Sequence, residues 1–120
     1  MDVLLRVVQG KPQGHCLRFA AGEFVFGRGP ECHIRPNSEW VSRQHCLLLV
    51  DDGGAHLRDL GSTNGTLVNG SLLEGQLTLH DGDILQLGQL VLEVVLPNSP
   101  DYQTLHETTF CNKETMTGDH

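Results

Sequence analysis

Basic residues are scarce in this chain: 8 Lys and Arg stand against 15 Asp and Glu over 120 residues, a formal net charge of −7. Nucleic-acid backbone binding rests on a basic footprint that neutralises phosphates, so general DNA or RNA binding is excluded. Long apolar runs are also missing. Leu47 to Val50, and Leu90 to Leu96 interrupted by Glu93, fall far short of the roughly 20 residues that cross a bilayer, so no membrane association is expected. The four cysteines (Cys16, Cys32, Cys46, Cys111) lie far apart, with no pair at zinc-ligand spacing. This argues against a metal site or a disulfide framework and for reduced, mostly buried thiols. The seven histidines are scattered as well, without an HxxxH cluster, and the acidic pairs Asp51-Asp52 and Asp81/Asp83 lack the ligand count of a calcium loop. No metal and no cofactor are expected. The chain opens acidic, at Met1-Asp2, with neither a basic leader nor a small-residue cleavage site, which points to a cytoplasmic address.

Sustained helical periodicity is absent too, and what replaces it is a series of short apolar segments separated by Gly, Pro, Asn and Asp. The pattern predicts strands at 2–8, 14–20, 23–27, 32–34, 46–51, 55–60, 66–68, 77–79, 83–87 and 89–96. Turn chemistry divides them: Asp52-Gly53-Gly54, Asn64-Gly65 and Asp81-Gly82-Asp83 supply tight reversals and positive φ. Many short strands with regular turns make an all-β sandwich or barrel. Pro97-Asn98-Ser99-Pro100 then ends the last strand. One domain over residues 1–96 is expected, followed by a flexible, disordered, Thr-rich tail over 97–120.

Three polar loop segments interrupt the apolar strands: Gly27-Arg28, Ser42 to His45, and Gly61 to Gly70. Arg28, Arg35 and Arg43, three of the eight basic residues, fall within 28–43. If the loops converge, the guanidinium groups of Arg28 and Arg43, the hydroxyls of Ser42 and Thr63 and the amide of Asn64 form a compact set of donors. Such a set suits a tetrahedral dianion like a phosphorylated side chain, with about −1.5 to −2 charge and three acceptor oxygens. Each charge-assisted hydrogen bond contributes on the order of 1.5 to 3 kcal/mol. A hydrolase built on Ser42 and His45 is disfavoured, because no strained GxSxG elbow surrounds Ser42 and no acidic residue stands out to orient His45. No catalytic activity is expected.

Gly27-Arg28, Ser42-Arg43-Gln44-His45, and Gly61-Ser62-Thr63-Asn64-Gly65-Thr66 with Asn69-Gly70 occur in the order and spacing of the forkhead-associated (FHA) family, which the sequence resembles over residues 3–96. The resemblance implies a two-sheet β-sandwich and a phosphothreonine-peptide-binding adaptor module in Ser/Thr kinase signalling. It implies that Arg28 and Ser42 bind the phosphate, that Arg43 adds a second charge, that Thr63 and Asn64 contact the phosphate region and that Asn64 holds the ligand main chain. Gly27, His45, Gly65 and Asn69 are then architectural. Trp40, the only tryptophan, sits two residues before Ser42 and is the candidate for reading the third residue after the phosphothreonine. As a core residue it would play no such part. The partners implied are a phosphothreonine-containing protein or peptide and a Ser/Thr protein kinase. A phosphate-independent scaffold that keeps the FHA fold and binds through a sheet face is the alternative.

The tail segment Leu105-His106-Glu107-Thr108-Thr109-Phe110 resembles the Glu-Thr-Thr phosphorylation motif of small actinobacterial FHA regulators, although there the motif precedes the domain. Thr108 and Thr109 are therefore candidate phosphorylation sites. The implied behaviour is a monomer that self-associates on phosphorylation, docking its tail into its own domain or a neighbouring copy.

Overall fold

The computed structural model describes residues 2–10, 14, 16–36, 39–100, 102, 108–111 and 116–117, the last two segments as backbone only. The strands are β1 (Val3–Gln9), β2 (Cys16–Phe19), β3 (Gly22–Phe26), β4 (Ile34–Arg35), β5 (Cys46–Asp51), β6 (Gly54–Asp59), β7 (Leu67–Val68), β8 (Ser71–Leu72), β9 (Gln76–Thr78), β10 (Ile84–Leu87), β11 (Leu90–Val95), β12 (Thr108–Cys111) and β13 (Met116–Thr117). They form two sheets, in the order β12-β2-β1-β11-β10-β7-β8 and β13-β4-β3-β5-β6-β9. The architecture is the two-sheet all-β sandwich expected, with no helix among the described residues.

All ten expected strands are present, with boundaries moved by a residue or two. Strand alternation builds the core: Cys46, Leu48 and Val50 of β5 face inward, while Leu47 and Leu49 between them stay half-buried. Phe19 from one sheet meets Phe24 and Phe26 from the other, the first pair edge-on with centroids 5.0 Å apart. β8 lies beyond the ten. Asn69 at φ 52° and Gly70 at φ 82° turn the chain sharply, so that Leu67 and Val68 pair with Leu72 and Ser71. β12 and β13 also lie beyond the expected set, pairing in parallel with β2 and β4. The described parts of 97–120 are these two strands, the turn 97–100 and Tyr102; the rest falls outside the described residues.

Register fixes which end of the sandwich does what. Leu67 is opposite Gln86, Gln86 opposite Val91, and Val91 opposite Gln9, so the loop ending at Thr66 emerges at the Gln9 end of β1. The other end holds Asp2 and the exit from β11. There the amide of Ser99 donates to the Leu96 carbonyl at 2.8 Å and that of Tyr102 to the Ser99 carbonyl at 3.1 Å. The Tyr102 hydroxyl donates to the Asp2 carbonyl at 3.1 Å, and the Arg18 guanidinium lies 5.9 Å from the Tyr102 ring centre. Leu4 and Val95 pair at this corner and are buried, although their neighbours Val3, Leu5 and Val94 are the ones that face the main core.

Candidate functional site

At the Gln9 end three loops meet: the one after β3, the one before β5 and the one after β6. Backbone bonds tie the first two, since Arg28 N–H donates to the Ser42 carbonyl at 3.0 Å and Gly29 N–H to the Arg43 carbonyl at 2.9 Å. The Arg28 side chain donates from Nε to the Val41 carbonyl, which leaves the remaining guanidinium N–H groups to point elsewhere. Gly27 is required by a close approach: a Cβ there would fall 2.2 Å from the Arg43 oxygen and 2.9 Å from Cys32 Sγ. The Cys32 thiol itself donates to that Arg43 oxygen at 2.9 Å.

Ser42 links to the third loop. Its Oγ accepts the Thr63 N–H at 2.9 Å, so its own hydroxyl proton is not spent on that bond. Asn64 donates Nδ2 to the Trp40 carbonyl at 2.9 Å, which leaves its Oδ1 and second N–H available. His45 is fully buried beneath, with Nδ1 accepting the Ser42 N–H at 3.0 Å and Nε2 facing the Gly65 carbonyl at 2.9 Å. Since Nδ1 accepts, Nε2 carries the proton and donates to Gly65. Gly65 has φ 82°, and a Cβ on it would strike Leu72 Cδ1 at 2.5 Å.

Most of the residues singled out in the sequence are thus drawn together: hydrogen bonds join Arg28 to the Val41–Ser42 backbone, Ser42 to Thr63 and Asn64 to Trp40, with Gly27, His45 and Gly65 packed around them. Arg43 contributes its carbonyl to the loop architecture and exposes its side chain. Arg28, Arg35 and Arg43 form no ion pair with a carboxylate among the described residues, whereas Arg6 pairs with Glu93 and Arg18 with Asp2. The guanidinium groups there are thus not locked into direct ion pairs, although the Glu31 and Asp59 carboxylates belong to the same loop cluster. Asn69 takes no part in these bonds: its Nδ2 donates to Asp83 Oδ1 and its Oδ1 accepts the Ile84 N–H, both at 3.0 Å. Thr108 and Thr109 lie in β12 opposite Cys16 and Leu17 of β2, at the edge of the first sheet.

Two features were not legible beforehand. The first is an open groove of about 240 Å³ running from Trp40, which is 56% exposed, past Asn64, Gly65 and Leu67 to Gln86, Gly88 and Gln89. The second is Asp59, whose carboxylate accepts four hydrogen bonds from the Gly61–Thr66 segment. Below it Cys46 is fully enclosed, and burial pushes its thiol far up, so it stays protonated and unreactive.

The FHA domain model matches residues 24–88, more than half of the chain. This chain belongs to the FHA family. Among curated relatives it is 41% identical over 63 residues to the human proliferation marker protein Ki-67, a match covering 52% of this chain and 2% of Ki-67. It is 37% identical over 87 residues to the FHA domain-containing protein FhaA of Mycobacterium tuberculosis, covering 72% of this chain and 16% of FhaA. The chain therefore corresponds to a small part of each of these proteins. A solved FHA structure, studied for phosphothreonine-dependent FHA domain interactions, superposes with a TM-score of 0.72 at 31% identity, covering 82% of this chain and all of the other. Motif order and fold thus point to one family, and no helix among the described residues is long and apolar enough to cross a membrane.

Proposed function

We propose that this FHA domain is a non-catalytic adaptor that binds phosphothreonine peptides written by a Ser/Thr protein kinase, with a cytoplasmic setting to match. The observation that carries the reading is the Ser42–Thr63 bond. Because Ser42 Oγ accepts the Thr63 amide, its hydroxyl proton is free for a phosphate oxygen, near Arg28 and Arg43, which pair with no carboxylate among the described residues. Asn64, anchored by one N–H to Trp40, keeps both an acceptor and a donor for a peptide main chain. The phosphothreonine-dependent interactions of the similar solved structure support the same chemistry.

The groove beside Trp40 is assigned to the third residue after the phosphothreonine. It is lined by an indole, Leu67 and two neutral glutamines, so an apolar or aromatic side chain fits it better than a carboxylate. Micromolar affinity, about −8 kcal/mol, is the expected scale for one phosphate and a few backbone bonds after ordering costs.

Regulation by the protein's own tail, through Thr108 or Thr109, belongs to the same reading and takes one form. Tyr102 is anchored at the Asp2 end, and the six residues onward to Thr108 span about 20 Å at full stretch. Strand β1 alone runs about 23 Å to the Gln9 end, and the binding loops project beyond it. While Tyr102 stays docked, a phosphorylated Thr108 therefore reaches a neighbouring copy more readily than its own site.

Binding to a degenerate phosphothreonine peptide library, beside phosphoserine and unphosphorylated pools and an Arg28→Ala chain, tests the function. Phosphothreonine-selective capture that disappears in Arg28→Ala is expected. Binding indifferent to phosphate would replace this reading with a scaffold acting through a sheet face.

A further inference from the structure

Turn geometry alone does not hold the loop that carries Thr63 and Asn64. Asp59 is the last residue of β6, and its Oδ2 accepts the N–H of Gly61 at 2.9 Å and of Ser62 at 3.0 Å. Its Oδ1 accepts the Ser62 hydroxyl and the Thr66 hydroxyl, the latter at 2.8 Å. The donors flank Thr63–Asn64 on both sides, and Thr66 is fully buried. No Lys or Arg pairs with this carboxylate among the described residues, so hydrogen bonds alone balance its charge. Partial burial would raise its pKa, but the bonds from Ser62, Thr66 and Gly61 outweigh that and hold the group below the ordinary carboxylate range.

We infer that Asp59 is a positioning residue for phosphopeptide recognition: its carboxylate fixes the Thr63–Asn64 hook against Ser42 and Trp40 before a ligand arrives. The inference rests on the function proposed above and adds its preorganising element. A loop already ordered in the free protein spares the ligand the entropy of ordering it. Placement and charge make opposite predictions here. Simple electrostatics says that removing a negative charge from a site for a dianion tightens binding, whereas loss of the staple weakens it.

The test compares Asp59→Asn in the wild-type and Asn64→Ala backgrounds, reading the affinity for a phosphothreonine peptide and amide hydrogen exchange in the free chain. Affinity is expected to fall about tenfold in the first background and less than twofold in the second, the coupling of a residue that acts through Asn64. The Thr63 amide, which Asp59 does not touch, is expected to exchange about tenfold faster while Leu48 and Leu57 in the sheet hold their protection. Ser62→Ala, which removes one donor and leaves the strand intact, is expected to shift both readouts in the same direction by about threefold. Unchanged or tighter binding, or an equal loss in both backgrounds, overturns the inference. A wild-type chain that binds no phosphothreonine peptide would defeat the proposed function instead. Exchange at Thr63 then judges the staple alone, and unchanged protection there overturns it.

Discussion

The side-chain amide of Asn64 donates to the main-chain carbonyl of Trp40 at 2.9 Å, joining the residue proposed to hold a ligand's backbone to the residue that walls the groove. On the proposed function, affinity and sequence preference are coupled through this bond. Asn64→Ala is expected to weaken phosphothreonine peptide binding by about tenfold or more and to flatten the preference at the third position. Trp40→Ala is expected to flatten the preference while leaving phosphate dependence intact. Library profiling of both variants checks this, and a Trp40→Ala profile identical to wild type would remove the groove from the reading.

His45 bears on stability. Its ring is fully buried and satisfies the Ser42 amide on one side and the Gly65 carbonyl on the other. His45→Ala leaves both groups unpartnered over a cavity, at about 1–3 kcal/mol for each stranded group. A loss of roughly 3 kcal/mol or more in urea unfolding is expected, together with loss of peptide binding as the Ser42 loop loosens.

Acid should act through Asp59. Its folded-state pKa lies below the ordinary value, so the unfolded chain binds its proton first as pH falls. The stabilisation is fully present above the unfolded pKa and disappears as pH drops through the folded one. Unfolding free energy should decline from about pH 5 downward, and more gently in Asp59→Asn, which starts from a lower value at neutral pH. Parallel slopes for the two chains would contradict the assignment.

Tyr102 closes the far end. A chain ending after Tyr102 keeps the bond to Asp2 and the contact with Arg18, whereas one ending after Leu96 loses both. The shorter chain should be less stable by about 1–2 kcal/mol, several degrees in melting temperature for a domain of this size. Equal melting temperatures would mean that the 97–102 segment adds nothing to the fold.

The strands were legible because two-residue alternation and Gly, Asn and Asp turns are local signals, and Cys46 to Asp51 displays both. The motif loops were legible through residue type and spacing, from Gly27-Arg28 to Asn69-Gly70. Asp59 was hidden because it sits in a strand pattern, and its role exists only once the chain doubles back on it. The exposure of Trp40 could not be read from neighbours in sequence, since it depends on how residues 39–42 lie against Asn64. β8 escaped notice because both of its residues are exposed and its pairing with β7 exists only once a turn forms with Asn69 at positive φ.

Leu4 and Val95 face each other across β1 and β11 at the end remote from the motif loops, so the chain enters β1 there, beside the exit from β11. A domain attached to a surface or to a neighbouring module ahead of β1 turns its loop end toward solution. Such an attachment should thus leave its measured peptide affinity the same.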